Sequence, residues 1–205
     1  PDKPFAVMMA TLDEVKQFVP RLMKICNGVA GLPFPSIAAV RGAAAGGGCE
    51  IPLACDMRVL ADDTQIGLRE TALAIIPGAG GTQRLPRLIG KSRAKDLILT
   101  GRRVTAQEAA DMGLVNRIAP DGELMPTAME VANAIASNGP VAVRAAKAAE
   151  EGKPETVAAA SGAGDDGPDT AREPEEGTGL GLAVVHGVMS AHEGDVAVRS
   201  APGAG

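Results

Sequence analysis

Glu50 and Glu70 are the residues in this sequence best suited to chemistry, because each carboxylate stands beside its own glycine-rich turn. The first turn is Gly42-Ala43-Ala44-Ala45-Gly46-Gly47-Gly48-Cys49-Glu50, and the apolar run Ile51-Pro52-Leu53-Ala54 after it reads as the start of a buried helix. Glycine lets backbone turn at positive φ and come close to a ligand. The free amides of such a helix start face incoming negative charge. An enolate oxygen forming there from an acyl carbonyl would meet fixed N–H donors, an electrostatic contribution that is often the largest in catalysis. The second turn, Pro77-Gly78-Ala79-Gly80-Gly81-Thr82, follows Glu70 and opens a helix expected to carry Leu85 and Leu88 on its buried side. Two carboxylates so placed could add water across a polarised double bond, one taking a proton from water and the other giving one to carbon. Purely structural alternatives stand beside this reading. Glu50 could be a first-turn acid favoured by the helix dipole, and Glu70 a surface acid paired with Arg69 or Arg84.

The elements that would hold these groups follow from apolar spacing. Val15, Phe18, Val19, Leu22, Met23 and Cys26 recur at three and four residues, which predicts an amphipathic helix over Asp13 to Cys26. Pro20 lies inside it, and an interior proline costs about 3 kcal/mol, so a kink or early break is expected there. Ser36 to Val40 reads as a short buried strand feeding the glycine turn, Gly48 to Cys55 as a helix and Met57 to Ala61 as a second strand. Asp62-Asp63-Thr64 then turns the chain toward Gln65 to Leu68. Downstream, Thr105-Ala106-Gln107-Glu108 is a capping box opening a helix that stops at Gly113, and Val115 to Ala119 reads as extended. Thr127-Ala128-Met129-Glu130 reads as a second capping box, and Pro140 suits the first turn of a helix reaching about Glu151. Arg102, Arg103, Arg144 and Lys147 read as a solvated basic face. Alternating strand, turn and helix is an α/β signature.

Composition narrows the partners. With 45% hydrophobic residues in 205 and no unbroken apolar run of spanning length, the expectation is a soluble, cytoplasmic chain with no membrane span. Three cysteines, Cys26, Cys49 and Cys55, lack metal-ligand spacing and read as small buried thiols in a reducing compartment. A net charge of −5 and 1% aromatic residues leave neither an electrostatic footprint nor a stacking platform for nucleic acid.

Pro35-Ser36-Ile37-Ala38-Ala39-Val40, Gly46-Gly47-Gly48-Cys49-Glu50, Ala54-Cys55-Asp56 and Ile75-Ile76-Pro77-Gly78-Ala79-Gly80-Gly81-Thr82-Gln83-Arg84-Leu85-Pro86-Arg87 together resemble the enoyl-CoA hydratases of the crotonase superfamily. The similarity continues through Gly90-Lys91-Ser92, Leu99-Thr100-Gly101-Arg102-Arg103, Ala109-Ala110-Asp111-Met112-Gly113-Leu114-Val115 and Pro140-Val141-Ala142-Val143-Arg144. It covers roughly Thr11 to Ala160 and is strongest to the branch that includes the methylglutaconyl-CoA hydratases. The resemblance implies an α/β fold, the layered ββα superhelix of the ClpP/crotonase type. It implies a lyase that adds water in the syn sense to a 2-enoyl-CoA thioester, in fatty-acid or branched-chain amino-acid breakdown. Carried over by residue, Glu50 and Glu70 are the catalytic pair. Glu50 would help activate the attacking water, and Glu70 would exchange the proton at the α-carbon. Gly47 would give an oxyanion amide to the thioester oxygen, Gly78 would help position the water, and Gly46 and Ala45 would complete the substrate-binding set. No metal or redox cofactor is implied, since coenzyme A arrives with the substrate, and the intact family members imply a homo-oligomer, trimer or hexamer. Isomerases of the superfamily usually lack one of the two acids, so the presence of both points to hydration.

The departures from the family pattern are as informative. Pro1 to Ala10 does not resemble the family's first strands or the loop that gives the second oxyanion amide, so the expectation is an N-terminally truncated domain over 1–160 with an exposed apolar side. Loss of one such donor would weaken oxyanion stabilisation by about 3 kcal/mol. Residues 161–176 read as a disordered linker, rich in glycine, aspartate, proline and glutamate without apolar periodicity. Residues 177–205, with Gly177-Thr178-Gly179-Leu180-Gly181, resemble the last glycine box of a sensor histidine kinase ATP-binding domain, a remnant expected to bind no ATP. A marginal helix is expected from Leu180 to about Ala191, and His186 and His192 read as ordinary tail residues. A non-catalytic crotonase-like fragment, or a chimera with a nucleotide-binding kinase remnant, is the competing reading, with an isomerase the alternative inside the superfamily.

Overall fold

The computed structural model describes residues 12–120, 122–152 and 183–189. The linker at 161–176, the glycine box at Gly177 to Gly181 and His192 lie outside the described residues.

Helix α1, Leu12–Ala30, is followed by strand β1, Ser36–Ala45, helix α2, Gly47–Ala54, and strand β2, Met57–Ala61. Strand β3, Gln65–Gly67, leads into a 3₁₀ turn at Glu70–Leu73 and then helices α3, Gly81–Ile89, and α4, Lys91–Thr100. Strand β4, Val104–Thr105, helix α5, Ala106–Asp111, strand β5, Arg117–Ala119, and helices α6, Leu124–Ala136, and α7, Pro140–Glu150, complete the run, with strand β6 at Ala183–Met189.

The sheet is built on β1. Its residues 37–40 pair in parallel with β2, and its last three residues, Ala43 to Ala45, pair in parallel with β3. The order is β4-β3-β1-β2-β5, with β4 antiparallel to β3 and β5 parallel to β2. Residues 36–40 of β1 are all buried, the continuous apolar run expected of a parallel strand covered on both faces rather than the alternation of a half-solvated one. Parallel neighbours require a crossover, and α2 provides it between β1 and β2. One core, with Leu53, Leu60, Ile66, Leu68, Leu85, Leu97 and Leu114, fills the space between the sheet and helices α2 to α5. A second, with Ile37, Val59, Leu124 and Ala128, seats α6 on the β1, β2 and β5 strands.

Four expectations are corrected. Helix α1 runs unbroken through Pro20. The proline sits on the exposed side, where water can satisfy the carbonyl its missing N–H leaves free, while Leu22, Cys26 and Val29 pack against α2 and Ala79. Leu88 is 36% exposed rather than buried, and the α3 face turned inward carries Leu85 and Ile89. Thr127 caps nothing, since α6 begins three residues earlier at Leu124, and the true N-cap box is at Thr105, whose hydroxyl accepts from Glu108 N. Lys147 is not on a solvated face. Its side chain is 9% exposed, and Nζ donates to Phe34 O at 3.0 Å and Asp56 Oδ2 at 2.7 Å.

The tail also differs from expectation. Residues 183–189 form β6, a strand and not a helix, parallel to β1 from Ser36↔Ala183 to Gly42↔Met189. The segment carries Val184, Val185 and Val188, β-branched residues that favour a pleated surface, and a partner edge supplies the ladder that an isolated helix would lack. Residues 36–42 of β1 are therefore paired along this edge. No helix among the described residues is long and apolar enough to cross a membrane.

Candidate active site

Backbone register brings the two carboxylates together. Ala45, the last residue of β1, stands opposite Gly67, the last residue of β3, and Gly46 N donates to Gly67 O at 3.1 Å. Both strands thus end side by side, at the carboxyl edge where open α/β sheets place their ligands. Glu50 follows one strand in the first turn of α2, and Glu70 follows the other at the start of the 3₁₀ turn.

Glu50 stands in the first turn of α2, where the helix dipole favours an acid, and it is only 1% exposed. Its Oε1 accepts two backbone hydrogen bonds, from Ala79 N and Gly81 N, each 2.8 Å. Two amides on one oxygen hold the carboxylate fixed and leave its other oxygen for another task. Gly81 is required for this approach, because a Cβ there would lie 3.0 Å from Oε1 and 2.9 Å from Leu68 Cδ1. Glu70 pairs with neither Arg69 nor Arg84. It is 7% exposed, and its Oε2 has no hydrogen-bond partner among the described residues. Burial raises its pKa above the ordinary glutamate value, with the charge of Glu50 adding in the same direction. The two carboxyls therefore sit in unlike environments, one gripped by two amides through a single oxygen and the other with an oxygen that has no donor among the described residues.

The glycines surround the pair. Gly46, at φ 59° and ψ −126°, caps α2, and its carbonyl takes both Cys49 N and Glu50 N, so the N–H groups of Gly47 and Gly48 come before the helix's own ladder. The Glu70 carboxylate reaches toward this turn, with Oε1 3.5 Å from where a Gly46 Cβ would stand. Helix α1 lies across both turns. A Cβ on Gly47 would lie 2.8 Å from Leu22 Cδ2, and one on Gly78 2.9 Å from Val19 Cγ1. Leu22 and Val19 thus pack on the Cα side of Gly47 and Gly78, and Ala45, Gly46, Gly47 and Gly78 are all partly buried. The structure thus brings all six sequence-predicted site residues to one place.

Two groups in this region, Arg84 and Arg58, were not apparent from sequence, whereas the thiols are buried as expected. Arg84, on α3, donates from Nη1 to Ala79 O at 2.7 Å and from Nη2 to Asn27 Oδ1 at 2.9 Å, joining α1 to the turn that grips Glu50. Arg58 is buried in the core and donates to Leu114 O, Pro52 O and Cys55 O, so a cation closes the carboxyl end of α2. Burial lowers its pKa, with the neighbouring Cys55 and Asp56 opposing the shift. The three thiols are buried and free, and burial pushes Cys49 and Cys55 well up, the latter to about 12, which makes both poor nucleophiles. No group of three or more His, Cys, Asp or Glu side chains among the described residues is arranged to hold a metal ion.

The enoyl-CoA hydratase/isomerase family profile matches residues 8–165. The chain belongs to that family. It is 52% identical over 110 residues to the short-chain-enoyl-CoA hydratase of Clostridium acetobutylicum, covering 54% of this chain and 42% of that protein. It is 47% identical over 132 residues to the mitochondrial methylglutaconyl-CoA hydratase of Mus musculus, covering 62% and 42%. Among solved structures it superposes on an enoyl-CoA hydratase from Bacillus anthracis with a TM-score of 0.71 at 46% identity, over 78% of this chain and 66% of that one. The fold is the crotonase fold. The chain spans about half the length, or less, of the curated relatives it matches.

Proposed function

We propose that this family member is a hydratase, adding water to the double bond of a 2-enoyl-CoA thioester. The observation that carries the reading is the buried pair itself: Glu50 held through one oxygen by two amides, and Glu70 short of donors with a raised pKa. In the proposed step, the water oxygen bonds to the β-carbon as Glu50 takes one of its protons, and the α-carbon takes a proton from Glu70. The C=C π bond is consumed and one water is added. Exchange of a proton between the two carboxyls and solvent then restores the starting state. Negative charge that builds on the thioester oxygen meets the Gly47 N–H at the amino end of α2, and the Gly78 turn borders the water. The reaction calls for no metal or redox cofactor.

An isomerase moves one proton between two carbons and needs one carboxylate; two buried carboxyls in contrasting environments favour hydration. The test is loss of the enoyl-thioester absorbance of crotonyl-CoA. Glu50→Gln and Glu70→Gln each remove a proton-transfer group worth about 10²–10⁴-fold and should lower the rate by that much. Full rate in either variant refutes the assignment, and no turnover by the parent chain favours the non-catalytic reading.

A further inference from the structure

Residue Ala79 is held from both sides. Its N–H donates to Glu50 Oε1, while its carbonyl accepts from Arg84 Nη1 at 2.7 Å. The second donor to Glu50, Gly81 N, lies just beyond Gly80. Gly80 adopts φ 101°, a left-handed conformation that disfavours side chains, and Arg84 Nη1 occupies the space a Gly80 Cβ would need. The guanidinium thus packs directly on the bend that separates the two donors. It is anchored in turn by Asn27 Oδ1 on α1, 2.9 Å from Nη2. Arginine suits this task, because its planar fork satisfies two acceptors at once with a fixed geometry. The Ala79 carbonyl bond and the Asn27 contact together tie the bend between the two donor amides to α3 and α1.

We propose that Arg84, braced by Asn27, is a positioning residue that keeps the Ala79 and Gly81 amides converged on Glu50 and so fixes the orientation of that carboxylate. Arg84 touches none of the reacting atoms and acts through the backbone. The kinetic arm of the proposal rests on the hydratase reading above; the structural arm does not.

The experiment combines both. Arg84→Ala should lower kcat for crotonyl-CoA hydration by about 100-fold, the size of effect that follows a misplacement of about 1 Å, while KM changes little. Added guanidinium ion should restore part of the lost kcat, Arg84→Lys should retain an intermediate rate because an ammonium cannot fork both acceptors, and Asn27→Ala should cause a smaller loss of the same kind. In a Glu50→Gln background, Arg84→Ala should add almost nothing, because the group it positions is already disabled. Independently of turnover, hydrogen exchange at the Ala79 and Gly81 amides should accelerate in Arg84→Ala and slow again with guanidinium. The proposal is overturned if those two amides exchange as in the parent chain. It is equally overturned if kcat is unchanged in Arg84→Ala, or if the full loss persists in the Glu50→Gln background. If the parent chain shows no hydration, the amide exchange still decides the proposal, and only the hydratase reading falls.

Discussion

Replacing Glu70 by glutamine should remove activity and at the same time make the protein more stable at neutral pH. The native side chain is 7% exposed, its Oε2 has no partner among the described residues, and burial raises its pKa above the ordinary 4.5. A carboxyl whose folded pKa exceeds its unfolded value binds its proton more tightly in the folded state. The stability it contributes is complete below 4.5 and is lost as pH rises through the folded value, so ionisation of this group opposes folding. Glutamine does not ionise. The stability difference between variant and parent should therefore grow with pH across that window and level off above it. For magnitude, an unsatisfied buried polar group costs about 1–3 kcal/mol, more when charged. Glutamine leaves a neutral amide in the same place, so only the part due to charge is recovered, about 1 kcal/mol. In a domain of this size that corresponds to about 2–4 °C in Tm. Thermal unfolding followed by circular dichroism at about pH 4 and about pH 8 brackets the ordinary carboxyl range. A variant less stable than the parent at the higher pH, or one with the same difference at both, would refute the argument that this carboxyl is held at a thermodynamic disadvantage.

Packing around the site and beneath α7 sets the remaining outcomes. Gly81→Ala should destabilise by about 1–3 kcal/mol and depress activity strongly, because its Cβ meets buried Leu68 and the Glu50 carboxylate. Gly47→Ala should be milder in stability, since the atom it meets is the free end of the Leu22 side chain, and urea denaturation of the two variants side by side checks the order. Lys147→Met should lose about 1–3 kcal/mol, because it unpairs the Phe34 carbonyl and takes the ammonium away from Asp56 Oδ2, which keeps its bonds from Ser36 N and Oγ. The same denaturation curves, repeated at high salt, should show that loss little changed, because the Lys147 ammonium is nearly buried.

What was legible in the sequence is what backbone chemistry writes into residue type. Glycines at the bends, a carboxylate beside each, β2 to the residue and the Thr105 cap all follow from local rules. What was not legible depended on which surface a segment meets. Pro20 looks like a helix breaker until α1 is seen to hide its opposite face against α2 and Ala79. Lys147 looks like one more surface cation until α7 brings it onto the Asp56 carboxylate and the end of the Leu32-Pro33-Phe34-Pro35 connection. The valines of β6 look like part of a helix without a partner until the edge of β1 supplies one to a strand. Arg84 left a trace that could have been followed: it sits four residues after Gly80, one helical turn from a glycine whose missing side chain leaves room for a guanidinium.

The division between these two groups has a physical basis in how the site is specified. No side-chain contact draws Glu50 and Glu70 together; two buried carboxylates repel, and the Glu50 charge raises the cost of ionising Glu70. Their approach is imposed by the parallel register of Ala45 on Gly67, sealed by the Gly46 N to Gly67 O bond, which ends both strands at one level whatever residues come after them. The unfavourable electrostatics are then divided unequally, with the Ala79 and Gly81 amides committed to Glu50 and no donor to Glu70 Oε2 among the described residues. A ladder of backbone hydrogen bonds can impose such a pairing because it belongs to the sheet and not to the pair. Changes within the carboxyls should therefore alter rate and pH dependence while leaving the fold intact, whereas a proline at Ala44, which would remove a buried N–H from the middle of the β1–β3 pairing, should dissolve the site with both glutamates still in the sequence.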